Sequence, residues 1–581
     1  MKFAIPLAVA LLTCIPLAQV EFSLTHELLS PVIRLHEMHH VMTQNGRVMV
    51  PWSPDLAFGH GLPFFIYYAP LATYVAEVPH LLGADLLQAI KVSYALSLVL
   101  SAASMALLLS YLSKSYRFPA SPLTIALASA AYVTAPYRMV DVYVRGSLAE
   151  CWSFVWFPLI LLGCHMLADE RWRKGLVIGS LSYAALILSH NIMALYFTVV
   201  LCVYAIAVRE VRRQLVRAAI MMALGQALSA FFWVPALANM PLVGTEPVTM
   251  WATAKDIASH AVYWPQFFSR GWEFGLSVPG PDDGMSFAIG WHIIAAVVLL
   301  PFVIFNRKER ASSQRLALVV LILTVILVAA MTRIMPWNLV PHLFRYIQFP
   351  WRLLAFTTLF GSVAVFFALN GLRRWSGVGS DNRLQAVFHV SLLLLILMLA
   401  GQIVKASSFR PGKVDRQYIL ERLELEESTG YIGTTARSEY VPATAAEETL
   451  DPDWNEEHYS ESHAEIVDGS AAVTDWTSRG ARYTMDVQCN TDTTLAFQSF
   501  YFPGWRHWRD GVRRDDEMKL GDAGFIHVTL PAGKHHLVFE YGFPPWGRAS
   551  QLVSGAAALG MLVWLFRCRL QQRPRLDIDR P

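Results

Sequence analysis

The sequence predicts a mainly α-helical, polytopic membrane protein that carries a small β-sandwich domain near its C-terminus. Of its 581 residues, 55% are hydrophobic and only 16% are charged, whereas a soluble globular chain has about 25% charged residues. The apolar residues form uncharged runs of roughly 17–22 residues, long enough to cross about 30 Å of hydrocarbon. One late stretch instead alternates apolar and polar residues, as strands do. This pattern excludes a soluble enzyme and a disordered chain, and the net charge of +3 does not indicate nucleic-acid binding.

The apolar runs predict about twelve membrane helices. The first run, 3–20, follows a single Lys2 and has no small-x-small cleavage site, so we expect an uncleaved first helix rather than a signal peptide. The remaining runs cover 85–112, 120–136, 151–168, 175–189, 191–208, 218–238, 286–305, 316–333, 353–371, 385–404 and 550–566.

Loop charge predicts the orientation of these helices. Alternate connections are short and basic, at 114–117, 171–174, 209–217, 307–315, 373–383 and 567–580. Because Lys and Arg stay on the cytoplasmic side, both termini are predicted to be cytoplasmic. The long connections 21–84, 137–150, 239–285 and 405–549 then lie outside. The inner links hold no Walker loop and no dinucleotide fingerprint, so ATP-driven transport by this chain alone is not expected.

Four regions follow from this organisation. Residues 1–404 form the transmembrane domain with its long first outer loop (21–84), 405–480 a polar outer linker, 481–549 a β-sandwich, and 550–581 the last helix with a basic cytoplasmic tail. The sandwich is predicted from alternation at 483–487, 494–500, 525–530 and 536–541, with turns between these strands. Its Trp505 and Trp508 are either core aromatics or a stacking surface for a sugar ring.

The first outer loop holds the most informative polar residues. Glu27 directly follows the first apolar run, where a carboxylate can serve as a general base or hold a divalent cation. The alternative is a solvated flank. Residues 28–42 have helical spacing, so Glu27, Arg34 and Glu37 would project from neighbouring faces. Asp55 is either a site residue or the cap of the turn after Pro54.

Further polar residues gather at the same predicted membrane face. They are Arg138, Asp141, Arg145 and Glu150 in the short second loop, His190 and Asn191 at a reversal between two helices, and Arg352 at the mouth of another helix. Polar groups near the membrane are costly without a reason. A planar, permanently charged guanidinium suits a phosphate headgroup, although snorkelling or an internal ion pair would also explain these arginines.

Several motifs resemble, in chain order, those of a bacterial membrane family labelled "6-pyruvoyl-tetrahydropterin synthase-related". They are WSPDLAFGHGLPFFIYYAPL at 52–71, PYRMVDVYVRGSLAE at 136–150, LSHN at 188–191, QFPWR at 348–352 and GTTARSEYVP at 433–442. The label does not describe the chemistry, because nothing in this sequence supplies the ligand set of the soluble zinc enzyme that it names.

The architecture also resembles GT-C glycosyltransferases, which have a long first outer loop and a carboxylate just after the first helix. That resemblance implies a catalytic set of Glu27, His26 and Asp55, with Glu27 as the acceptor-activating base or a metal ligand. It implies a substrate-binding set of Arg34, His60, Arg138, Arg145, Glu150, His190, Asn191 and Arg352. Relatives usually show His-Asp where this chain has His26-Glu27, which moves the carboxylate by about one methylene.

The implied activity is transfer of a sugar from a polyprenyl-phosphate donor, on the periplasmic side of a bacterial inner membrane. The expected partners are this lipid-linked donor, membrane lipids and an envelope glycan, lipid or protein acceptor, without nucleic acid. A divalent cation, Mg²⁺ or Mn²⁺, is the cofactor left open. Two alternatives remain. One is a transporter or flippase, which is disfavoured because the polar residues avoid the membrane midplane and no inverted repeat is visible. The other is a non-enzymatic scaffold that binds partners through the β domain.

Overall fold

The computed structural model describes most of the predicted helices and the β domain. The described residues are 1–18, 22–23, 25–27, 30–244, 253–269, 274–305, 311–375, 408–409, 440–460 and 462–571. The predicted helix at 385–404 and most of the predicted linker, with the motif at 433–439, lie outside these residues. Each of the other predicted apolar runs coincides with a helix, which confirms the helical membrane fold class.

The first thirteen of the described α-helices lie between residues 4 and 239. They are α1 (Ala4–Thr13), α2 (Ser30–Asn45), α3 (Phe64–Tyr67), α4 (Leu71–Leu81), α5 (Leu86–Ser115), α6 (Pro122–Val133), α7 (Pro136–Val140), α8 (Leu148–Met166), α9 (Trp172–Ser189), α10 (Asn191–Ala207), α11 (Arg209–Arg212), α12 (Leu215–Leu228) and α13 (Ala230–Asn239). The remaining helices are α14 (Ala254–Ser259), α15 (Trp291–Ile304), α16 (Ala311–Ala330), α17 (Leu354–Trp375), α18 (Pro452–His458) and α19 (Pro545–Gln571).

Five of the described helical stretches are long and apolar enough to cross a membrane, or six if the bent pair α12 and α13 is one span. The bend between α12 and α13 is 73°, and Ser229 at the break donates its hydroxyl to the carbonyl of Gly225. The first helix is shorter than the predicted run 3–20. It ends at Thr13 because Pro16 has no amide hydrogen and its ring clashes with the preceding turn.

The helix bundle is organised around α17, which is buried along its length, whereas α19 is largely exposed at the outside of the bundle. Small residues allow α8 and α9 to pack closely. A Cβ atom added to Gly163 would lie 2.6 Å from the Cα of Gly179, a separation that real side chains do not tolerate. This close packing fixes α8, whose first turn carries Glu150.

The C-terminal β domain is a sandwich of two antiparallel sheets. Its strands are β3 (Ala464–Asp468), β4 (Ala471–Arg479), β5 (Arg482–Cys489), β6 (Thr493–Phe500), β7 (Trp505–Arg509), β8 (Val512–Arg513), β9 (Lys519–Leu520), β10 (Phe525–Leu530) and β11 (Gly533–Tyr541). One sheet has the order β3-β6-β10-β9 and the other β4-β5-β11-β7-β8. Phe497 of the first sheet stacks on Phe539 of the second at 4.4 Å, so the apolar faces of the two sheets meet.

The four predicted strands are confirmed as β5, β6, β10 and β11. Strands β3 and β4 fall in the range that the sequence analysis assigned to a polar linker. Most residues of β4 are exposed or half-buried, and their polar composition hides the strand from a search for apolar alternation. A further short pairing joins β1 (Phe22–Ser23) to β2 (Ser408–Phe409).

The first outer loop packs against the β domain through the segment that follows α2. Trp52 is fully buried, stacks on Tyr541 at 4.6 Å and contacts Trp505 edge-on at 5.3 Å. Asn45 bonds the backbone of Arg479 and of Ala481. One hydrophobic cluster therefore runs without a break from the first loop into the sandwich, and Trp505 belongs to that core.

Candidate active site

The second loop is built as a sharp turn between two helices. Pro136 opens α7, where its missing amide hydrogen is not needed. Asp141–Arg145 continue as a π-helical turn, and Gly146 ends it with a left-handed φ of 69°. A Cβ atom at Gly146 would overlap the side chain of Thr25. This turn brings the charged residues of 136–150 together in the interior of the protein.

Arg145 is the centre of a buried ion-pair network. Its Nη1 donates to Glu150 Oε2 at 2.7 Å and to Tyr137 Oη at 3.1 Å, and it also pairs with Asp141. The hydroxyl of Tyr137 donates to Glu150 Oε1 at 2.6 Å. The guanidinium lies 4.8 Å from the ring centre of Trp351. Such a network of charge-assisted hydrogen bonds holds its side chains in fixed positions.

The two carboxylates of this network do not share the positive charge of Arg145 equally. Burial, reinforced by the neighbouring Glu150, raises the pKa of Asp141 well above its usual range. Two carboxylates beside one guanidinium cannot both ionise without a large electrostatic penalty. Asp141 is therefore the less readily ionised of the two carboxylates, and Glu150 carries more of the negative charge that pairs with Arg145.

His190 and Arg352 approach the same carboxylate from other helices. His190 Nε2 lies 4.0 Å from Glu150 Oε2, and its Nδ1 accepts the backbone N–H of Met193 at 3.4 Å. Burial lowers the pKa of His190 to about 3, so the ring is neutral and its proton is on Nε2. Arg352 donates to the carbonyl of Ile347 at 3.2 Å and lies 5.7 Å from the ring of Phe349.

Arg138 and Asn191 have different neighbours. The Nη2 of the fully buried Arg138 donates to Ser97 Oγ at 2.9 Å, and its guanidinium lies 4.7 Å from the Phe154 ring centre. Asn191 donates to the carbonyl of Tyr67 at 2.8 Å. Arg138 thus joins α5 to α8, and Asn191 joins α10 to the first loop.

The segment 25–27 of the first loop is bonded to the backbone of the π-helical turn. The N–H of His26 donates to the carbonyl of Val144 at 2.9 Å, and that of Glu27 to the carbonyl of Arg145 at 3.0 Å. The two motifs that the sequence singled out separately therefore lie side by side. Burial, together with the charge of Arg145, lowers the pKa of His26, and its Nε2 is 3.1 Å from the carbonyl oxygen of Gly275.

The carboxylate of Glu27 is held by a cation from α2. Arg34 Nη1 donates to Glu27 Oε2 at 2.9 Å and to the Tyr68 hydroxyl at 2.7 Å. The buried guanidinium also lies 4.2 Å from the ring centre of Tyr68. About a quarter of the Glu27 side chain stays exposed, against a tenth of Arg34. Glu27 is therefore oriented by a charge-assisted bond and still reachable from outside.

Asp55 and His60 lie in other surroundings. The Oδ2 of Asp55 is 3.3 Å from His36 Nε2. The ring nitrogens of the fully buried His60 contact the carbonyl oxygen of Gln498 at 3.0 Å and Asn455 Oδ1 at 2.8 Å. His60 is thus enclosed by the β domain, and burial lowers its pKa.

Metal-ligating side chains meet at one place among the described residues. The group consists of His36, Glu37 and Asp55 and does not include Glu27. Tyr137, Tyr68 and Trp351 were not predicted as site residues, although all three stand within the motifs at 136–150, 52–71 and 348–352. Their aromatic character, rather than a charge, made them read as packing residues.

A family model described as "6-pyruvoyl-tetrahydropterin synthase related domain; membrane protein" matches residues 65–408. The match includes the second loop, the His190 reversal and Arg352, and it begins after Glu27, Asp55 and His60. No curated protein matches the chain.

Among solved structures, the chain is similar to two cryo-EM structures of the arabinofuranosyltransferase AftD from Mycobacteria. In a mutant form, the identity is 16%, the TM-score is 0.44, and 71% of this chain and 29% of that chain are covered. In the other, the identity is 15%, the TM-score is 0.43, and the shares are 71% and 27%. The chain therefore spans less than a third of the length of these structures.

Proposed function

This chain belongs to the family of 6-pyruvoyl-tetrahydropterin synthase related membrane proteins, and from that premise we propose that it is a membrane glycosyltransferase. It transfers a sugar from a polyprenyl-phosphate-linked donor to an envelope acceptor. The reaction takes place at the outer, periplasmic face of a bacterial inner membrane, with both termini in the cytoplasm and the β domain outside.

One observation carries the proposal. The backbone bonds from His26 and Glu27 to Val144 and Arg145 bring the segment that carries an accessible carboxylate next to the turn that carries the buried Arg145. Transfer from a lipid phosphate needs this pairing, because a proton must leave the acceptor while negative charge grows on the departing phosphate. A transporter would instead need its polar residues near the membrane midplane.

The proposed roles follow from the contacts of each group. An acceptor hydroxyl attacks the anomeric carbon and gives its proton to Glu27. The bond from that carbon to the phosphate oxygen breaks, and its electron pair leaves with the polyprenyl phosphate. Arg352 is the main ligand of this phosphate, because its hydrogen bond goes to the backbone carbonyl of Ile347 and it forms no direct ion pair with a carboxylate among the described residues. Arg145, already paired with Glu150, holds the cluster in shape.

Four other predicted site residues take supporting roles in this proposal, which gives no role to His26 or Asp55. Neutral His190 donates a hydrogen bond at the edge of the phosphate site, and Arg34 orients Glu27. Arg138 and Asn191 hold the surrounding helices and the first loop in place. His60 is not part of the proposed site, because both of its ring nitrogens face the β domain. Glu27 is also the candidate ligand for Mg²⁺ or Mn²⁺ at the transfer site.

The test is a transfer assay with the full chain in lipid nanodiscs. The protein is mixed with a panel of radiolabelled polyprenyl-phosphate sugars and a crude envelope acceptor, with and without Mg²⁺ or Mn²⁺. We expect transfer by the wild type and a loss of about 100-fold or more in Glu27→Gln and in Arg352→Ala. Arg345→Ala is the matched control, because within the part of the chain that the structure describes Arg345 bonds the carbonyls of Val340 and Asn338 in its own segment and no other group.

The proposal fails if the folded wild type transfers no sugar from any donor. It also fails if Glu27→Gln and Arg352→Ala match the wild type. Flipping of a lipid-linked sugar in proteoliposomes without transfer would establish the transporter alternative.

A further inference from the structure

A second cluster of ligand-bearing side chains lies between α2 and the segment that follows Pro54. His36 Nε2 is 3.3 Å from Asp55 Oδ2, and the N–H of Asp55 donates to Glu37 Oε2 at 3.3 Å. One ligand atom from each of His36, Glu37 and Asp55 lies within 4.8 Å of the other two. None of the roles proposed for sugar transfer uses His36 or Glu37.

One of these separations matches the ligand shell of a small divalent ion. A tetrahedral zinc ion with ligand distances of about 2.0–2.1 Å separates its ligand atoms by about 3.3–3.4 Å. The distance between His36 Nε2 and Asp55 Oδ2 has this value. The separations that involve the Glu37 carboxylate are at most 4.8 Å, so Glu37 would move inward to complete a three-residue site.

Burial adds a reason for a cation at this position. His36 and Glu37 are buried, and one tenth of the Asp55 side chain is exposed. Carboxylates in the interior are stable when they are paired with cations or bound to metals. A divalent ion would compensate the charge of both carboxylates.

We propose that His36, Glu37 and Asp55 bind a divalent transition-metal ion, Zn²⁺ in preference to Mg²⁺. An imidazole with two carboxylates is a ligand set for zinc, whereas Mg²⁺ takes oxygen ligands and keeps several waters. The ion ties α2 to the loop that carries Trp52 and His60 into the β domain. This proposal does not depend on sugar transfer, because it concerns the anchoring of the first loop.

The site escapes a motif search because its residues are far apart in the chain. His36 and Glu37 are neighbours on a helix, and Asp55 follows much later, after a turn. Local zinc spacings contain at least two ligands within a few residues of one another and a second pair at a fixed offset. Here the third ligand depends on how the loop folds back onto α2.

The experiment uses the full chain in nanodiscs, stripped with a chelator and titrated with Zn²⁺ alone. Metal content is measured by mass spectrometry, and Co²⁺ is added in parallel because its visible absorption reports tetrahedral ligation by nitrogen and oxygen. We expect about one zinc per chain, no displacement by millimolar Mg²⁺, and a rise in Tm on zinc binding. His36→Gln and Asp55→Asn should weaken zinc binding at least tenfold.

His39→Gln is the matched control. His39 is on the same helix, but its Nδ1 contacts Glu77 Oε1 at 2.8 Å and its ring contacts His80. It should bind zinc as the wild type does. If the wild type takes up no stoichiometric zinc, or if His36→Gln and Asp55→Asn bind it as tightly as His39→Gln, the cluster is a plain ion pair and the proposal is wrong. The wild-type zinc and Co²⁺ titrations decide the question even if a variant fails to fold.

Discussion

The first outer loop has two contact regions of opposite character. Where it meets the β domain, its ionisable groups have partners, and the buried atoms of that segment without a hydrogen-bond partner among the described residues, Trp52 Nε1 and Ser53 Oγ, belong to uncharged side chains. Arg47 and Arg482 both pair with Glu540, and both ring nitrogens of His60 face hydrogen-bonding atoms. The aromatic ring of Trp52 packs between these polar groups and the sandwich core, where it stacks on Tyr541.

Where the same loop meets the second loop, charge is abundant and matching is incomplete. Asp141 Oδ2 and Arg352 Nε are buried and have no hydrogen-bond partner among the residues that the structure describes. A protein interior rarely leaves such atoms unmatched without a functional reason. The comparison suggests that the β-domain contact serves stability and that the cluster around Arg145 keeps capacity for a ligand.

The largest expected effect on stability comes from breaking the buried ion pair. Arg145→Met would leave Glu150 without its guanidinium partner at 2.7 Å, and we expect a loss of about 4–5 kcal/mol in the free energy of unfolding. Arg352→Met removes a guanidinium whose bond goes to a backbone carbonyl, so the loss should be about 1 kcal/mol. Thermal unfolding in nanodiscs measures both.

Equal destabilisation by these two arginine variants would contradict the distinction between them. It would mean that Arg352 is as deeply built into the fold as Arg145, and its proposed role as a phosphate ligand would lose its basis.

The second effect concerns the β-domain contact. Trp52→Ala removes a fully buried ring that stacks on Tyr541, and we expect a loss of about 3 kcal/mol. The matched control is Trp476→Ala, because Trp476 is more than a third exposed on the edge strand β4. Limited proteolysis between the helix bundle and the β domain should accelerate in Trp52→Ala alone. Similar proteolysis of both variants would mean that Trp52 does not hold the two regions together.

The fold was predictable from the sequence where local periodicity decides the structure. Uncharged runs located the helices, and alternation located β5, β6, β10 and β11, because β5 buries one face, β6 buries nearly all of its side chains and β11 buries its second half. Strand β4 was missed because most of its side chains are exposed. The early end of α1 was missed because it is set by one proline, Pro16, whereas hydropathy continues to residue 20.

The candidate site was predictable only in part. The charges of the second loop were grouped correctly because they are close in the chain. The contact of Glu27 with Arg145 depends on backbone bonds between two loops, and no spacing in the sequence encodes such bonds. Asp55 and His60 stand in one motif, yet they face different neighbours, because turns in that segment redirect the chain.

The third prediction compares two glycines with similar backbone angles. Gly146 has φ +69° and a Cβ there would overlap Thr25, whereas Gly46 has φ +61° and free space around it. Gly46→Ala should cost about 1 kcal/mol from backbone strain. Gly146→Ala should cost about 2 kcal/mol and should also abolish sugar transfer, because it displaces the segment that carries Glu27. Equal stability and equal transfer in the two variants would mean that the close fit of Gly146 against Thr25 does not position Glu27.

The smallest expected effect is a dependence of β-domain stability on pH. His507 is fully buried and stacks on Phe539 at 4.5 Å, and burial lowers its pKa to about 4. The unfolded chain has a histidine pKa of about 6.5. Because the folded state favours the neutral ring, its contribution is present above about pH 6.5 and is lost as the pH falls towards 4. At pH 5 the β domain should be less stable by on the order of 1–2 kcal/mol.

Urea unfolding of the full chain, followed by tryptophan fluorescence at pH 7.5 and pH 5, measures this loss. His507→Phe keeps a ring against Phe539 but cannot take up a proton, so its stability should fall less over the same interval. Burial lowers the pKa of His60 as well, and this histidine links the domain to the first loop, so a residual pH dependence should remain in His507→Phe. An identical fall in the wild type and in His507→Phe would assign the pH dependence to the interface with the first loop rather than to the sandwich core. That outcome would make the better-matched of the two contact regions the one more sensitive to acid.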